Sequence, residues 1–214
     1  MIYPAAAIHV VAVEDDLVVL DLKSDAYFCI PELGAHLSRA ETGGWVADNE
    51  TVMAGLLDTG LFRRDPGQGS TLANLRRPVR TSRAEVRREA GLGAGLRLLA
   101  VLATTAARVN GRPLKTLIGR SPDLPVRPEQ ADDAMAEAQL FDAWMPWVPG
   151  QGQCLYRAFL LRAFLAAQGR GSTWVFGVRT WPFSAHCWLQ IDDVLLDDDL
   201  DRVGLYTPIL AVEA

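Results

Sequence analysis

The sequence predicts an α+β protein in which a small unit rich in strands precedes a larger unit of helices followed by strands. Three observations support this fold class. Residues 8–30 contain three short apolar runs separated by turn signals, which is typical of successive strands. Residues 84–168 carry leucine and alanine at helical spacing, and residues 172–198 alternate like strands. Glycine, proline and charged residues are concentrated at residues 63–83, where the two units would join.

The composition limits the classes of function that the chain can have. Its 214 residues suffice for one medium domain or two small ones, and half of them are hydrophobic, which excludes wholesale disorder. A formal net charge of −5 argues against a nucleic-acid partner, because the phosphate backbone attracts basic surfaces. No apolar run approaches the ~18 residues of a membrane span. The three cysteines have scattered spacings and no signal peptide is recognisable, so we expect free thiols, a cytoplasmic location and no membrane contact.

The N-terminal unit, residues 1–63, is predicted to hold three strands followed by two helices. The strands are expected at Ile8–Glu14, Leu17–Leu22 and Ala26–Ile30, and the helices at residues 32–41 and 50–59. Asp48 or Asn49 can cap the second helix, and Gly60 suits its C-terminal end. A unit of about 63 residues is near the lower size limit for a stable core of its own.

Residues 64–83 are predicted to be a linker, and residues 84–214 a second domain. Its helices are expected at residues 84–107, 113–118, 129–144 and 154–168, and its strands at residues 172–180, 186–191 and 194–198. Glycines weaken the start of the first of these helices, so its firm part should begin near Ala94. Asn110-Gly111 is expected to end it.

Cys154 is the candidate nucleophile of the second domain. It follows a glycine-containing approach and stands where the last predicted helix begins. The unpaired N–H groups and the dipole at a helix N-terminus favour a thiolate, so they lower the pKa of a cysteine placed there. The same N–H groups can hold an oxyanion during attack on a carbonyl carbon. Cys154 also shares a helical stripe with Ala158 and Leu161, so its face should look toward a sheet.

His186 is the candidate general base, because it lies in a predicted strand of the second domain, whereas His9 and His36 fall in the first domain, away from Cys154 in sequence. Strand alternation places His186 and Trp188 on one face and Cys187 on the other. Cys187 is therefore predicted to be a core residue. Cys29 lies in a strand of the first domain and is predicted to be a core residue too.

The acid that would orient the histidine is one of three consecutive carboxylates, Asp197, Asp198 and Asp199. With a two-residue turn at residues 192–193, the first and third of them fall on the His186 face. A three-residue turn or a bulge would place Asp198 there instead, so the spacing leaves the choice open. The residues offer no convincing ligand set for a metal, and neither a metal nor a cofactor is predicted.

An ordered set of motifs runs through residues 144–210. It consists of Trp144-Met-Pro-Trp147, Cys154-Leu-x-Arg157-Ala-x-x-Leu161, Ala185-His186-x-Trp188, an acid-ending hairpin and a Tyr206-Thr-Pro tail. This set resembles the leader peptidases of lasso-peptide biosynthesis, the B proteins, although Ala158 stands where that family often has serine. The resemblance implies a transglutaminase-like, papain-like cysteine-protease fold. It also implies the triad Cys154, His186 and Asp198, and with Asp198 it implies the longer or bulged turn.

The stretch Val19–Pro31, with the sequence VLDLKSDAYFCIP, carries a second resemblance. It is similar to the recognition elements that bind leader peptides of ribosomally made natural products, which are small winged-helix domains. In that family the leader adds as a strand to the third strand, against the last helix. The likeness therefore implies a peptide-binding groove lined by Ala26, Tyr27, Phe28, Cys29, Ile30, Val52, Met53 and Leu56.

Together the two resemblances imply a leader peptidase of lasso-peptide maturation. The first domain would capture the leader, and the second would cleave the leader–core bond through a thioester on Cys154. The implied partners are the precursor peptide and an asparagine-synthetase-like cyclase. Two alternatives stay open: a transglutaminase-like acyltransferase that uses an amine acceptor, and a non-catalytic peptide-binding chaperone.

Overall fold

The computed structural model describes residues 1–41, 43–66, 72, 75–81, 91–109, 112–119, 124–148 and 154–213. In these residues the strands are β1 (Tyr3–Pro4), β2 (Ile8–Val13), β3 (Asp16–Asp21), β4 (Ala26–Ile30), β5 (Leu37–Arg39), β6 (Trp45–Ala47), β7 (Phe62–Arg63), β8 (Arg80–Thr81), β9 (Thr173–Arg179), β10 (Ser184–Ile191), β11 (Val194–Leu195) and β12 (Thr207–Val212). The α-helices are α1 (Glu50–Asp58), α2 (Leu92–Val109), α3 (Leu114–Ile118), α4 (Ala131–Trp144), α5 (Cys154–Ala166) and α6 (Leu200–Val203). None of these helices is both long and apolar enough to cross a membrane.

Strands β2, β3 and β4 form an antiparallel sheet in that order, and the central strand is buried on both faces. Leu17 and Val19 lie in a cluster with Leu56 of α1. Val18 and Leu20 belong to the larger core, which also contains residues of α2, α4 and α5. All four side chains of the strand are fully buried. A strand covered on both faces needs apolar residues at successive positions, which explains why this stretch shows no alternation.

Polar and aromatic contacts also join this sheet to the C-terminal half of the chain. The indole Nε1–H of Trp181 donates to Asp16 Oδ2 at 2.7 Å. The ring centroids of Tyr27 and Phe183 are 5.9 Å apart. Trp181 and Phe183 belong to the turn between β9 and β10, so this hairpin lies against β3 and β4. The N-terminal sheet therefore shares a core with the second half instead of standing apart from it.

The second sheet has the order β12-β9-β10-β11-β8, in which only the β11–β8 pair is parallel. One face carries Trp174, Phe176 and Leu189 and packs into the larger core. The opposite face carries Val175 and Trp188, which form a separate cluster. Helix α5 contacts β10 and is covered in turn by α2 and α4. This helical layer brings the start of α5 next to β10.

The helix predicted at residues 32–41 is wrong. The structure has a 3-10 turn at Leu33–His36, and β5 follows it. Glu32 has a left-handed φ of 62°, and its N–H donates to Asp16 Oδ1 at 3.0 Å. A Cβ at position 34, which is Gly34, would come within 2.5 Å of the Asp16 carbonyl oxygen. The segment is therefore held against the start of β3, and this tertiary contact overrides the local helical preference.

The next helix is confirmed, because α1 begins and ends within one residue of the predicted bounds. Asn49 is its N-cap: Asn49 Oδ1 accepts the Val52 N–H at 2.9 Å. Gly60 follows the helix with a φ of 71°, a conformation that glycine adopts without a steric cost. The described part of the N-terminal unit thus holds one α-helix where two were expected, and its winged-helix architecture stays a prediction.

The segment predicted as a linker, residues 64–83, supplies a strand to the second sheet, and a separate two-stranded sheet ends just before it. Strand β7 pairs with β1, and strand β8 pairs in parallel with β11 at the edge of the second sheet. Thr81 Oγ1 donates to the backbone oxygen of Asp198 at 2.7 Å. The linker prediction is therefore wrong for β8. The charged and polar residues around this strand indicate exposure to solvent, but its backbone forms the edge of the second sheet. Residues 67–71, 73–74 and 82–90 lie outside the described residues.

The remaining elements of the second half follow the predicted order. Helix α2 covers the firm part of the predicted helix, whereas its expected start at residues 84–90 and its expected end at Asn110-Gly111 lie outside the described residues. Strands β9 and β10 agree with the prediction, and β11 is shorter than expected. The apolar tail forms β12, an edge strand paired with β9.

Candidate active site

Cys154 is the first residue of α5, as the sequence predicts. Its side chain is half-buried, and the glycine-containing approach at residues 150–153 lies outside the described residues. The first N–H groups of a helix have no partner within the helix. The sulfur is therefore placed where backbone donors can stabilise negative charge on it or on a substrate oxygen.

His186 lies in β10 and donates from Nε2 to Asp198 Oδ2. Both side chains are shielded from solvent, with exposed fractions of 11% and 7%. The imidazole is flanked by Tyr206, at 5.1 Å between ring centroids, and by Trp188, at 6.2 Å. Opposite His186 on β9 is Gly177, where a Cβ would come within 2.7 Å of the Trp188 ring. Glycine at this position thus leaves room for the aromatic side chain that packs beside the imidazole.

The other side of the imidazole meets the Cys154 sulfur. A hydrogen-bonding interaction between His186 and Cys154 shifts the pKa of both groups. Because Nε2 already binds Asp198, Nδ1 is the nitrogen that faces the sulfur. The three side chains thus form a line of sulfur, imidazole and carboxylate, which is the arrangement that activates a cysteine nucleophile.

Asp198 is the carboxylate that reaches His186, and yet the hairpin before it has a two-residue turn. Ile191 pairs with Val194 directly across that turn. The longer or bulged turn implied by the choice of Asp198 is therefore wrong. Strand β11 leaves the ladder after two residues, so the residues that follow it no longer alternate between the faces of the sheet.

The neighbouring carboxylates have different surroundings. Asp197 Oδ1 accepts the backbone N–H of Leu189 at 2.8 Å, and burial raises the pKa of Asp197 to about 7. The backbone N–H of Asp199 donates to Asp198 Oδ1 at 2.8 Å, and Arg202 Nη1 lies 3.7 Å from the same oxygen. Asp197 is thus a buried structural carboxyl. In the part of the chain that the structure describes, no three histidine, cysteine or acidic side chains are grouped to hold a metal ion.

The electrostatics of the site favour a thiolate–imidazolium pair near pH 7. The side-chain hydrogen bond from Cys187 is the largest influence on Cys154; with the hydrogen bond to His186 it outweighs burial and lowers the pKa of Cys154 to about 4. Burial by itself lowers the pKa of His186, but the hydrogen bonds to Asp198 and Cys154 raise it to about 9. Burial likewise opposes ionisation of Asp198, but its hydrogen bond with His186 brings its pKa below the usual range. A thiolate formed in this way is ready to attack.

Cys187 is a core residue as predicted, with 4% of its surface exposed, but the prediction missed its contact with Cys154. Alternation along β10 does separate His186 from Cys187. Cys154 reaches both of them because they lie where β10 extends beyond its partner β11, which pairs only with the last two residues of β10. The signal available in the sequence was the second cysteine directly after the candidate base.

The residues predicted to bind a leader divide between two faces of β4. This strand is at the edge of its sheet, and its outer edge has no strand partner among the residues described. Ile30 belongs to the same cluster as three α1 residues, Val52, Met53 and Leu56. Phe28 is 45% exposed. These residues, together with Ala26 at the start of the strand, remain the predicted groove.

Tyr27 and Cys29 do not face α1 as the predicted groove required. Both pack against the larger core, where Cys154 also lies. The reason is strand alternation, which turns every second residue of β4 toward the second half of the chain. Burial raises the pKa of Tyr27, and electrostatic interactions with Cys187 and Cys154 raise it further, so the phenol lies within electrostatic reach of Cys154. Tyr27 therefore connects β4 with the candidate active site.

Comparison with known proteins assigns the family. Residues 96–211 match the family model described as the transglutaminase-like superfamily. This match covers more than half of the chain and includes Cys154, His186 and Asp198, so the chain belongs to the transglutaminase-like superfamily. The fold is generally that of cysteine-dependent peptidases and acyltransferases. No curated protein and no solved structure matches the chain.

Proposed function

We propose that the protein is a cysteine leader peptidase of lasso-peptide maturation, which binds the leader of a precursor peptide and cleaves the leader–core bond. The observation that carries the proposal is the hydrogen-bonded array of Cys154, His186 and Asp198 in a transglutaminase-like chain. The motif set shared with the B proteins supports lasso precursors as the substrate class.

The first half of the reaction forms a thioester. The Cys154 thiolate attacks the carbonyl carbon of the scissile peptide bond, and the new oxyanion accepts hydrogen bonds from N–H groups at the start of α5. The imidazolium of His186 gives its Nδ1 proton to the leaving nitrogen, the C–N bond breaks, and the core peptide leaves with a free amine. Asp198 keeps the Nε2–H donor in place throughout this step.

The second half hydrolyses the thioester. His186, now neutral, takes a proton from a water molecule as that water attacks the thioester carbonyl carbon. The C–S bond then breaks, which releases the leader with a free carboxylate and restores the Cys154 thiolate beside the His186 imidazolium. An amine that reached the site before water would give an amide instead, which is the acyltransferase alternative.

Strand β4 is the proposed docking edge for the leader. An open edge supplies backbone hydrogen bonds to an added strand, and pockets for alternate side chains supply selectivity. One face of β4 carries the exposed Phe28, and the other carries Tyr27 near the thiolate. A leader added along β4 would thus be held beside Cys154. The core amine released by cleavage would then serve an asparagine-synthetase-like cyclase.

The proposal is tested by incubating the full-length protein with synthetic lasso precursor peptides and analysing the products by mass spectrometry. We expect a leader ending in a carboxylate and a core with a free amine. The same assay with added methylamine separates the alternatives, because a leader amide as the main product would indicate an acyltransferase. Precursor peptides that bind but stay intact would contradict the enzyme proposal and favour the peptide-binding chaperone.

The docking edge has a separate test in Phe28→Ser. Loss of an exposed aromatic contact of ~1.4 kcal/mol weakens leader binding about tenfold, whereas kcat for bound precursor should not change. Fluorescence anisotropy of a labelled leader measures the binding. Val46→Ser is the matched control, because Val46 is also an exposed apolar residue, 38% exposed, on β6. Equal affinities of the wild type and Phe28→Ser, or equal losses in both variants, would argue against β4.

A further inference from the structure

Cys187 is a buried nucleophilic side chain that the proposed reaction leaves unused. It follows His186 directly, and only 4% of its surface is exposed. Helix α5, which begins with Cys154, packs against β10. Cys154 packs against the buried cluster that contains Cys187, and interactions with the Cys187 side chain and backbone N–H lower the pKa of Cys154. One residue thus offers two donors to the candidate nucleophile.

The backbone of β10 explains why the N–H of Cys187 is available. The Leu189 N–H donates to Asp197 Oδ1 at 2.8 Å, and the Leu189 oxygen accepts the Leu196 N–H at 2.9 Å, so Leu189 directs its polar groups to the β11 side. Cys187 lies two residues earlier and therefore directs its N–H to the same side. Strand β11 does not extend that far, which leaves space for the Cys154 sulfur beside this N–H.

We propose that Cys187 is a positioning residue that holds Cys154 as a thiolate, with its S–H and its backbone N–H both donating to the Cys154 sulfur. The inference rests on the proposed role of Cys154 as nucleophile. It goes beyond that role because it adds a second thiol to the line of sulfur, imidazole and carboxylate.

The proton between the two sulfurs stays on Cys187 for a physical reason. The hydrogen bond to Cys154 and burial both raise the pKa of Cys187 well above its ordinary value, the negative charges of Cys154 and Asp197 raise it further, and only the interaction with Trp174 opposes them among the causes of the shift. Cys154 lies beside the His186 imidazolium, which favours the anion there. Cys187 is therefore the donor and Cys154 the acceptor.

This arrangement affects the pH range of the enzyme more than its rate at neutral pH. Hydrogen bonds to a thiolate lower its pKa, but they also lower its intrinsic nucleophilicity, so the two effects oppose each other once the thiolate is fully formed. Below the pKa, one unit of pKa changes the thiolate fraction about tenfold but the intrinsic nucleophilicity only about threefold, so the first effect dominates at acidic pH. A variant without the S–H donor should therefore lose reactivity first on the acidic side.

The test measures the alkylation rate of Cys154 by iodoacetamide as a function of pH, with mass spectrometry of the modified peptide. Cys187→Ala and Cys187→Val remove the donor, and Cys187→Ser keeps one. Loss of a hydrogen bond to the anion should raise the alkylation midpoint by about one pH unit or more in the first two variants, whereas serine should keep it within about half a unit of the wild type. Valine fills the site without supplying a donor. The valine variant therefore still tests the hydrogen bond if lost packing destabilises the alanine variant.

Wild-type midpoints in both the alanine and the valine variants would overturn the proposal. A midpoint in Cys187→Ser as high as that in Cys187→Ala would also overturn it, because packing rather than hydrogen bonding would then be the cause. The assay contains no precursor peptide. An absence of precursor cleavage by the wild type, with the expected alkylation midpoints, would therefore count against the peptidase function and leave the role of Cys187 intact.

Discussion

Replacing Cys154 with alanine is expected to lower kcat/KM for leader release by about three orders of magnitude or more, because no other group can form the thioester. Cys187 cannot substitute for it, since its sulfur is buried and holds its proton. The measurement is the rate of leader release, followed by mass spectrometry with the wild type and Cys154→Ala at equal concentrations.

The control for this variant is its affinity for the leader. Cys154 lies in α5, outside the predicted groove on β4, so Cys154→Ala should bind a labelled leader as tightly as the wild type does. An unchanged thermal midpoint would show that the variant is folded. Leader release at the wild-type rate by this variant would contradict the thioester mechanism.

Replacing Asp198 with asparagine is expected to lower kcat by about 10²- to 10⁴-fold. The carboxylate accepts the Nε2–H of His186 and balances the imidazolium charge. A neutral amide can turn its NH₂ group toward Nε2, which would make Nε2 an acceptor and place the single proton of the neutral imidazole on Nδ1, so that Nδ1 could no longer take the proton of Cys154. The measurement is kcat for leader release at saturating precursor.

The adjacent variant Asp197→Asn is the matched control. Its amide oxygen can still accept the Leu189 N–H, so kcat should stay close to that of the wild type. An equal loss of kcat in both variants would contradict the assignment of Asp198 and return the choice to the whole run of carboxylates.

Asp197→Asn also has an expected pH signature in stability. The folded pKa of Asp197, about 7, lies above its ordinary value of 3.8, so the folded state binds this proton more tightly than the unfolded state does. The stability due to that proton is present at low pH and is lost as the pH rises from about 4 to about 7. Asparagine is neutral at every pH, so its thermal midpoint should increase relative to the wild type across this range and level off above it. A constant difference would contradict the burial of an ionisable carboxyl.

The sequence identified the chemistry of the site better than its geometry. A cysteine at a helix start and a histidine in a strand could be found by residue type and spacing alone. Asp198 could not, because alternation describes only residues that remain in a ladder, and β11 ends before the three carboxylates begin. The resemblance to a family supplied Asp198, although the turn inferred from it is wrong.

Two further features could not be predicted from the sequence, because they depend on which other elements a strand packs against. Alternation predicts that His186 and Cys187 face opposite sides of β10. It does not predict that Cys154 interacts with both residues where β10 extends beyond β11. The same limit applies to β4, because no pattern in the sequence indicates that Tyr27 and Cys29 face a second core. Likewise, the helical content of residues 32–41 could not reveal the close contact between Gly34 and β3. Each of these outcomes is decided by tertiary packing.

The burial of β3 on both faces has a consequence for how a cleavage site would be chosen. A recognition unit on a flexible tether would present many segments of a bound peptide to the nucleophile in turn. Here the sheet that would carry the leader shares its core with the catalytic half, so the span from β4 to Cys154 is set by packing. An extended peptide covers about 3.3 Å per residue. The protein would then cleave the peptide at a fixed number of residues from the part of the leader that pairs with β4.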